Sequence, residues 1–525
     1  MAEPPAGARP RGVATARRAL ANATALLPPG TALVGAGTAV LGLASYVQLA
    51  AAGRSLTAAR MAGVSVLWTL VFSVGLGLFF PVEQEVTRLV AARVVAGQGV
   101  GPVVRRAAAA SLTQLAAVCL PLALLARPLA DRLFDGDTAL VGALCGAFAA
   151  LSVAHVTRGV LAGAGAFTAY GAQLALDGLL RVAGSLALAA AGVHRPLPYA
   201  ALLTLPTLVS VAVTLPRVRS AARRRGSGGP ALPWRELRAG LLALVPATLL
   251  AQLLVNVSVI SVKLLAPQDT AFVTALLSAV VLARVPLFVF GSLQASLLSG
   301  LSTAAAAGDT AAHRRLLLRT AGLTALLGGT GGLAAVALGP WLVPRLFGSP
   351  DVLRWTDFAW LSAGTLCYML ASVLGQALQT TGGHRRQLGA WTVGTAGLLA
   401  VTLSPIPIRD RVEAAYAAGA AITAVMLSVR VTSRIRTQPL RHFRRQAGRT
   451  DTVSGSAAGI AAGPVTALVT EPAAELADAV TGPVAGTAAD TASGTAAGAV
   501  ADTVPGAIAV ADRSEGPREG NRLTS

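Results

Sequence analysis

Lysine is almost missing from this 525-residue chain, occurring once, at Lys263. Charged residues of all kinds make up 13% and aromatics 4%, and there are five histidines. So few charges cannot clothe an ordinary water-facing surface, and a single lysine far from any glycine-rich turn excludes a phosphate-binding loop. Cysteine numbers three, Cys119, Cys145 and Cys367, all inside apolar runs and without paired spacing. That pattern excludes a disulfide framework and a cysteine metal site. The histidines show no metal or catalytic spacing: His155 stands isolated within an apolar run, while His313 and His384 each precede an Arg-Arg pair. No nucleophile–base pair is legible either, so neither an enzyme nor a cofactor is expected.

What is present is apolar: 54% of residues are hydrophobic and the mean hydropathy is +0.65, the composition of an integral membrane protein. A bilayer about 30 Å thick needs about 20 apolar residues per helix. Runs of that kind fall at 31–52, 61–82, 107–126, 138–158, 168–192 and 198–216, and again at 239–265, 270–299, 317–342, 355–379, 388–405 and 412–430. The expectation is an all-α membrane protein of about twelve transmembrane helices in two six-helix lobes. The net charge of +20 comes from arginines in the short gaps between runs, which is a topology signal and excludes a nucleic-acid surface. Alternate gaps differ in arginine content, and the richer set includes both termini, so both are expected on the cytoplasmic side of the inner membrane. Residues 1–30 read as a cytoplasmic arm without a signal peptide's long apolar region.

The arginine-rich segment 217–238 divides the chain into halves at 31–216 and 239–435. Gly97 and Gly308, Arg106 and Arg315, and Arg132 and Arg345 are related by offsets that agree to within a few residues. The turns LAGAGAF at 161–167 and LQTTGGH at 378–384 form a further pair, and together they indicate an internal duplication with parallel repeats. Residues 436–525 change from basic to Ala, Gly, Thr and Pro rich, the composition of a disordered tail.

Polar groups at bilayer depth carry the functional signal, because each charge there costs on the order of 2.5 to 3.5 kcal/mol and tends to face a protein interior or cavity. Tyr170, Gln173, Asp177 and Arg181 recur at steps of three and four on one helical face. Asp177 and Arg181 serve equally well as a structural pair or as a cavity wall. Gln252, Asn256 and Lys263 follow the same pattern in the seventh run, and Arg284 precedes Pro286 in the eighth. In the tenth run Thr365, Tyr368, Ser372, Gln376 and Gln379 form an uncharged stripe suited to helix–helix contact. Glu83, Glu85 and Arg88, at the inner end of the second run, are either a solvated helix end or an inner gate.

The segments PVEQEVTR at 81–88, RGVLAGAG at 158–165 with Tyr170 after it, and ARVPLFVF at 283–290 followed by Gln294 and Leu298, set in this two-lobe layout, resemble the multidrug/oligosaccharidyl-lipid/polysaccharide exporter superfamily. Within it, they resemble the polysaccharide-biosynthesis flippase branch. Where that family often has a proline–arginine pair, this chain has Ser299 and Gly300. The resemblance implies a flippase that moves a lipid-linked oligosaccharide across the membrane by alternating access. The implied partners are membrane lipids, the lipid-linked glycan and envelope glycosyltransferases or a polymerase, with coupling to protons or sodium. A cation-coupled multidrug exporter and a non-transporting scaffold for glycan assembly are the alternatives.

Overall fold

The computed structural model describes residues 30–223, 231–265, 269–283, 285–347, 350–405 and 407–437. The arm, the tail and part of the linker, all but a few residues of 1–30 and 436–525 together with 224–230, therefore lie outside the described residues. Among those described, every regular element is helical. The first half comprises α1 (Thr31–Ser55), α2 (Ala58–Leu70), α3 (Leu76–Val95), α4 (Gly101–Leu124), α5 (Ala126–Leu133), α6 (Thr138–Gly163), α7 (Phe167–Ala190), α8 (Pro196–Ala201) and α9 (Leu205–Arg223). The second comprises α10 (Trp234–Leu265), α11 (Thr270–Ala283), α12 (Val285–Ala307), α13 (Thr310–Phe347), α14 (Trp355–Thr380), α15 (His384–Thr402) and α16 (Ile408–Thr437).

The described residues of the twelve apolar runs are mainly helical, and among the described residues ten stretches are long and apolar enough to cross a membrane by length and composition. The eighth run is described as α11 and α12, with Arg284 between them outside the described residues. The eleventh, α15, spans 19 residues and opens on His384, Arg385 and Arg386, which lowers its hydropathy. Acidic side chains cap the starts of some helices. Asp137 accepts a hydrogen bond from the backbone N–H of Ala139 at 2.9 Å, Asp309 from Ala312 at 2.7 Å and Asp357 from Arg354 at 2.7 Å. Two of the repeated sequence pairs also share a backbone state. Gly97 and Gly308 follow α3 and α12 with φ of 66° and 72°, and Gly165 and Gly382 follow α6 and α14 with φ of 72° and 71°.

Large apolar side chains such as Leu124, Leu242 and Leu333 stand exposed on the outer faces, as expected where the surrounding solvent is hydrocarbon. Inside, one buried apolar cluster runs entirely through residues of 247–431. The others draw on 34–241, and one of these takes in Leu232, Leu237 and Leu241 of the linker and α10, plus Ala295 of α12. Those four residues mark where the halves meet.

Close helix approach rests on small residues. On α6, Gly159 and Gly163, one turn apart, face α3. A Cβ at Gly159 would lie 2.9 Å from the Glu83 carbonyl, and one at Gly163 would lie 2.7 Å from that of Thr87. The backbones touch because no side chain intervenes, the small-xxx-small contact of membrane helices. The α2–α3 path passes through a π turn at Val71–Gly75. One residue beyond each normal turn re-aims the side chains there, and Phe72 is among them.

Replacing Gly163 with valine is expected to separate α3 from α6 and lower the thermal unfolding midpoint of the purified chain sharply. Gly97→Ala, at a positive-φ position with open space around it, should cost only about 1 to 2 kcal/mol. Unfolding midpoints of the two variants in the same detergent check the contrast.

Candidate functional site

Helix α3 carries Glu83, Gln84, Glu85 and Arg88, and all four are buried. Successive helical residues point about 100° apart, so the four cannot share one environment. Glu83 turns into the first half, where its carboxylate accepts a hydrogen bond from the Tyr170 hydroxyl at 2.6 Å and pairs with His155 Nδ1 at 2.7 Å. The α3–α6 approach at Gly159 brings His155 to Glu83, and Phe80 covers the imidazole edge-on. The sequence left His155 isolated; the structure corrects this, because α3 supplies its partner from across a helix crossing.

Glu85 turns toward the second half. Its carboxylate takes a two-pronged bond from Arg88, with Nη2 to Oε1 at 2.6 Å and Nε to Oε2 at 3.0 Å. His384 Nε2, at the start of α15, stands 3.2 Å from the same Oε2. Arg88 also reaches Glu236 of α10 at 3.5 Å. The carboxylate lies over Gly240, where a Cβ would stand 2.7 Å from Oε1. Beside this latch Gln379 Nε2 donates to Gln84 at 3.3 Å, the Thr31 and Ser296 hydroxyls are 2.7 Å apart, and Ser299 donates to the Ala162 carbonyl at 2.8 Å. These polar contacts between the halves gather at the end where α1, α10 and α15 begin and α3, α6, α12 and α14 finish.

The second buried group is a knot on Asp177. Arg181, one turn along α7, donates Nε to Oδ1 at 2.9 Å, and the Thr207 hydroxyl of α9 donates to Oδ2 at 2.9 Å. Arg181 Nη2 reaches Thr207 Oγ1 at 3.1 Å, and Phe72 of the π turn lies 5.9 Å from its guanidinium. Arg158 of α6 approaches Oδ2 from the other side at 3.5 Å. Gln173 donates to the Thr157 hydroxyl at 3.1 Å. The stripe Tyr170, Gln173, Asp177 and Arg181 thus becomes a polar spine joining α3, α6, α7 and α9. His155 Nε2, Arg158 Nε, Arg181 Nη1 and Gln173 Oε1 are buried without a hydrogen-bond partner. This polar spine is therefore not saturated.

In the second half Gln252 and Asn256 lie half-buried on α10, with Asn256 donating to the Gln252 carbonyl at 2.7 Å. The Lys263 side chain and Arg284 lie outside the described residues. On α14 the tenth-run stripe makes helix contacts: Thr365 meets the Tyr416 hydroxyl at 3.3 Å and Tyr368 packs edge-on against Trp391. Sequence reasoning did not assign a site role to His155, Arg158, Thr207, Glu236 or His384. The legible hint was His155 and Arg158 three residues apart on one face of an apolar helix. Among the described residues no group of three or more His, Cys, Asp or Glu side chains is placed to hold a metal ion.

Two guanidinium groups depend on Asp177, whereas Asp177 keeps Arg158 if Arg181 is lost. Removing one partner of a buried pair costs about 3 to 5 kcal/mol. Asp177→Asn is therefore expected to destabilise the chain more than Arg181→Gln, and the double variant less than the sum of the two. Chemical or thermal unfolding of the three variants measures the order.

No family model matches the chain. Among curated proteins it is 29% identical over 284 residues to an uncharacterized protein of Mycobacterium tuberculosis, covering 53% of this chain and 62% of that protein. It is 27% identical over 268 residues to an uncharacterized protein of Mycobacterium bovis, covering 50% and 60% respectively. The match thus spans less than two thirds of these relatives' length. Among solved structures it superposes on a mutant of the Vibrio cholerae MATE transporter VcmN with a TM-score of 0.66 at 14% identity, over 78% of this chain and 96% of that one. A Pyrococcus furiosus MOP superfamily transporter described as having a binding pocket of reverse polarity gives 0.65 at 13% identity, over 78% and 95%. The chain therefore has the all-helical fold of the MATE transporters.

Proposed function

We propose that the chain is an alternating-access membrane transporter that flips a lipid-linked polysaccharide precursor from the cytoplasmic to the outer leaflet of the inner membrane. The observation that carries this reading is the polar latch. Two helical halves are held together at one end by Glu85, Arg88, Glu236 and His384, polar contacts of a kind that can open and re-form. The arginine-rich gaps put that end on the cytoplasmic side. The flippase branch rests on the sequence segments around Glu83, Arg158 and Arg284 and on chemistry. Lipid-diphosphate carriers are anionic, and guanidinium groups bind phosphate through two oxygens at once. Arg158 and Arg181, with buried N–H groups left unpartnered, suit such a head group when the halves open. Gln252, Asn256, Lys263 and Arg284 are further proposed substrate-binding residues, and glycosyltransferases or a polymerase the proposed partners.

A cation-coupled multidrug exporter is the second reading, favoured by the fold, since one similar structure is described as a multidrug resistance MATE family transporter. In a strain lacking its own copy, Arg158→Ala and Arg181→Ala, expressed and inserted normally, are expected to lower surface polysaccharide at least tenfold. Normal polysaccharide in both variants, or resistance to lipophilic cations conferred by the parent chain, would sink the flippase reading. Deleting residues 451–525 should leave export intact; loss of export on that deletion would favour a scaffold.

A further inference from the structure

Helices α4 and α6 cross in a register that their polar side chains mark. Ser111 and Ser152, both buried, have their hydroxyls 2.8 Å apart. The helices run antiparallel, so residues farther along α4 meet residues farther back on α6. About two turns from the serines this register brings Cys119 to Cys145. The Cys119 Sγ lies 3.9 Å from the Cys145 carbonyl oxygen, and its thiol contacts the Cys145 side chain. Both thiols are free and half-buried, and Cys119 packs with Leu115, Val118 and Leu122 against the apolar cluster that holds Leu144 and Phe148. The two cysteines are 26 residues apart with α5 between them, so no local spacing announces the pair. Their place in the fold decides which reagents they meet. Helix α4 leaves the latch end after α3, so Cys119, near the finish of α4, and Cys145, near the start of α6, sit toward the opposite end. With the latch end cytoplasmic, as proposed above, the pair lies toward the outside of the cell, where disulfides persist. Leu112, Leu120 and Leu124 of α4 stand exposed, the face a helix turns to hydrocarbon, so a lipid-soluble reagent has access to this crossing.

We infer that Cys119 and Cys145 are a redox pair, a thiol–disulfide site on the crossing of α4 and α6 that a lipid-soluble quinone oxidises. The Sγ–Sγ bond forms, both S–H bonds break, and two electrons and two protons pass to the quinone, which leaves as the hydroquinone. Oxidation closes the stretch through α5 into a loop. It also ties α4, whose apolar window is the least buried of the ten long apolar stretches, to α6, which carries Arg158 and the glycines that meet α3. The inference goes beyond the flippase reading, since it needs neither a substrate nor a movable latch.

The test uses the full chain in lipid nanodiscs, reduced, freed of reductant and treated with tetramethylbenzoquinone, whose blocked ring positions prevent thiol addition. Free thiols counted after denaturation are expected to fall from the three of the sequence to one, with the peptides of Cys119 and Cys145 joined by a disulfide in the mass spectrum. Dithiothreitol should restore all three. Cys119→Ala should keep both of its remaining thiols under the same treatment, and Cys145→Ala serves the same purpose should the first variant fold poorly by gel filtration. Cys367, in the second half, is the internal control. A second arm reads the state in the cell: chain from aerobic cells, blocked with N-ethylmaleimide before lysis, is expected to carry the same linked peptides in part. Three thiols surviving the quinone would overturn the inference, as would a link that joins two chains or includes Cys367, or the absence of the link from the blocked cells. Each of these outcomes leaves the flippase reading standing, because that reading is decided separately by polysaccharide export.

Discussion

A charge inside hydrocarbon must find its partner within the protein, and this requirement organises the first half of the molecule. Asp177, Arg181, Glu83 and Arg88 are all buried, and an unpaired ion in such a place costs several kcal/mol. The chain meets the requirement by drawing partners from different helices. Asp177 is satisfied from α6, α7 and α9, and Glu83 from α6 and α7. Each pairing is also a helix–helix tie, so the polar groups hold together a half whose apolar surfaces give no preference for protein over lipid.

The glycines are the steric counterpart of that requirement. A hydrogen bond between Glu83 and His155 demands that α3 and α6 lie closer than bulky side chains would permit, and Gly159 and Gly163 remove the obstacle. The same logic places Glu85 over Gly240 at the boundary between halves. Small residue and buried charge form one device: the first sets the distance that the second needs. At the latch it is built across two halves rather than within one.

Much of the architecture is legible in the amino-acid sequence. Twelve runs of apolar residues form helices because length and hydropathy alone decide whether a segment can lie in hydrocarbon. The periodicity that groups Tyr170, Gln173, Asp177 and Arg181 is real, because steps of three and four necessarily share a helical face. What that face meets is less readable. The stripe meets α3, α6 and α9, and nothing in a helix's own sequence states which neighbour it will touch. His155 shows the limit most clearly: alone in its run, it has no partner within reach along the chain, and Glu83 lies 72 residues away.

The sequence by itself determined the solvent, the helices and which side chains would be costly to bury, since these follow from composition and local periodicity. Only the tertiary structure decided the pairings: Glu83 with His155 and Tyr170, Asp177 with Arg158 and Thr207, Glu85 with His384. Each joins residues far apart in sequence through a helix crossing, and a crossing is set by the small residues and side-chain volumes of two helices at once. Interactions of that kind are properties of pairs in space, so no single stretch of chain contains them.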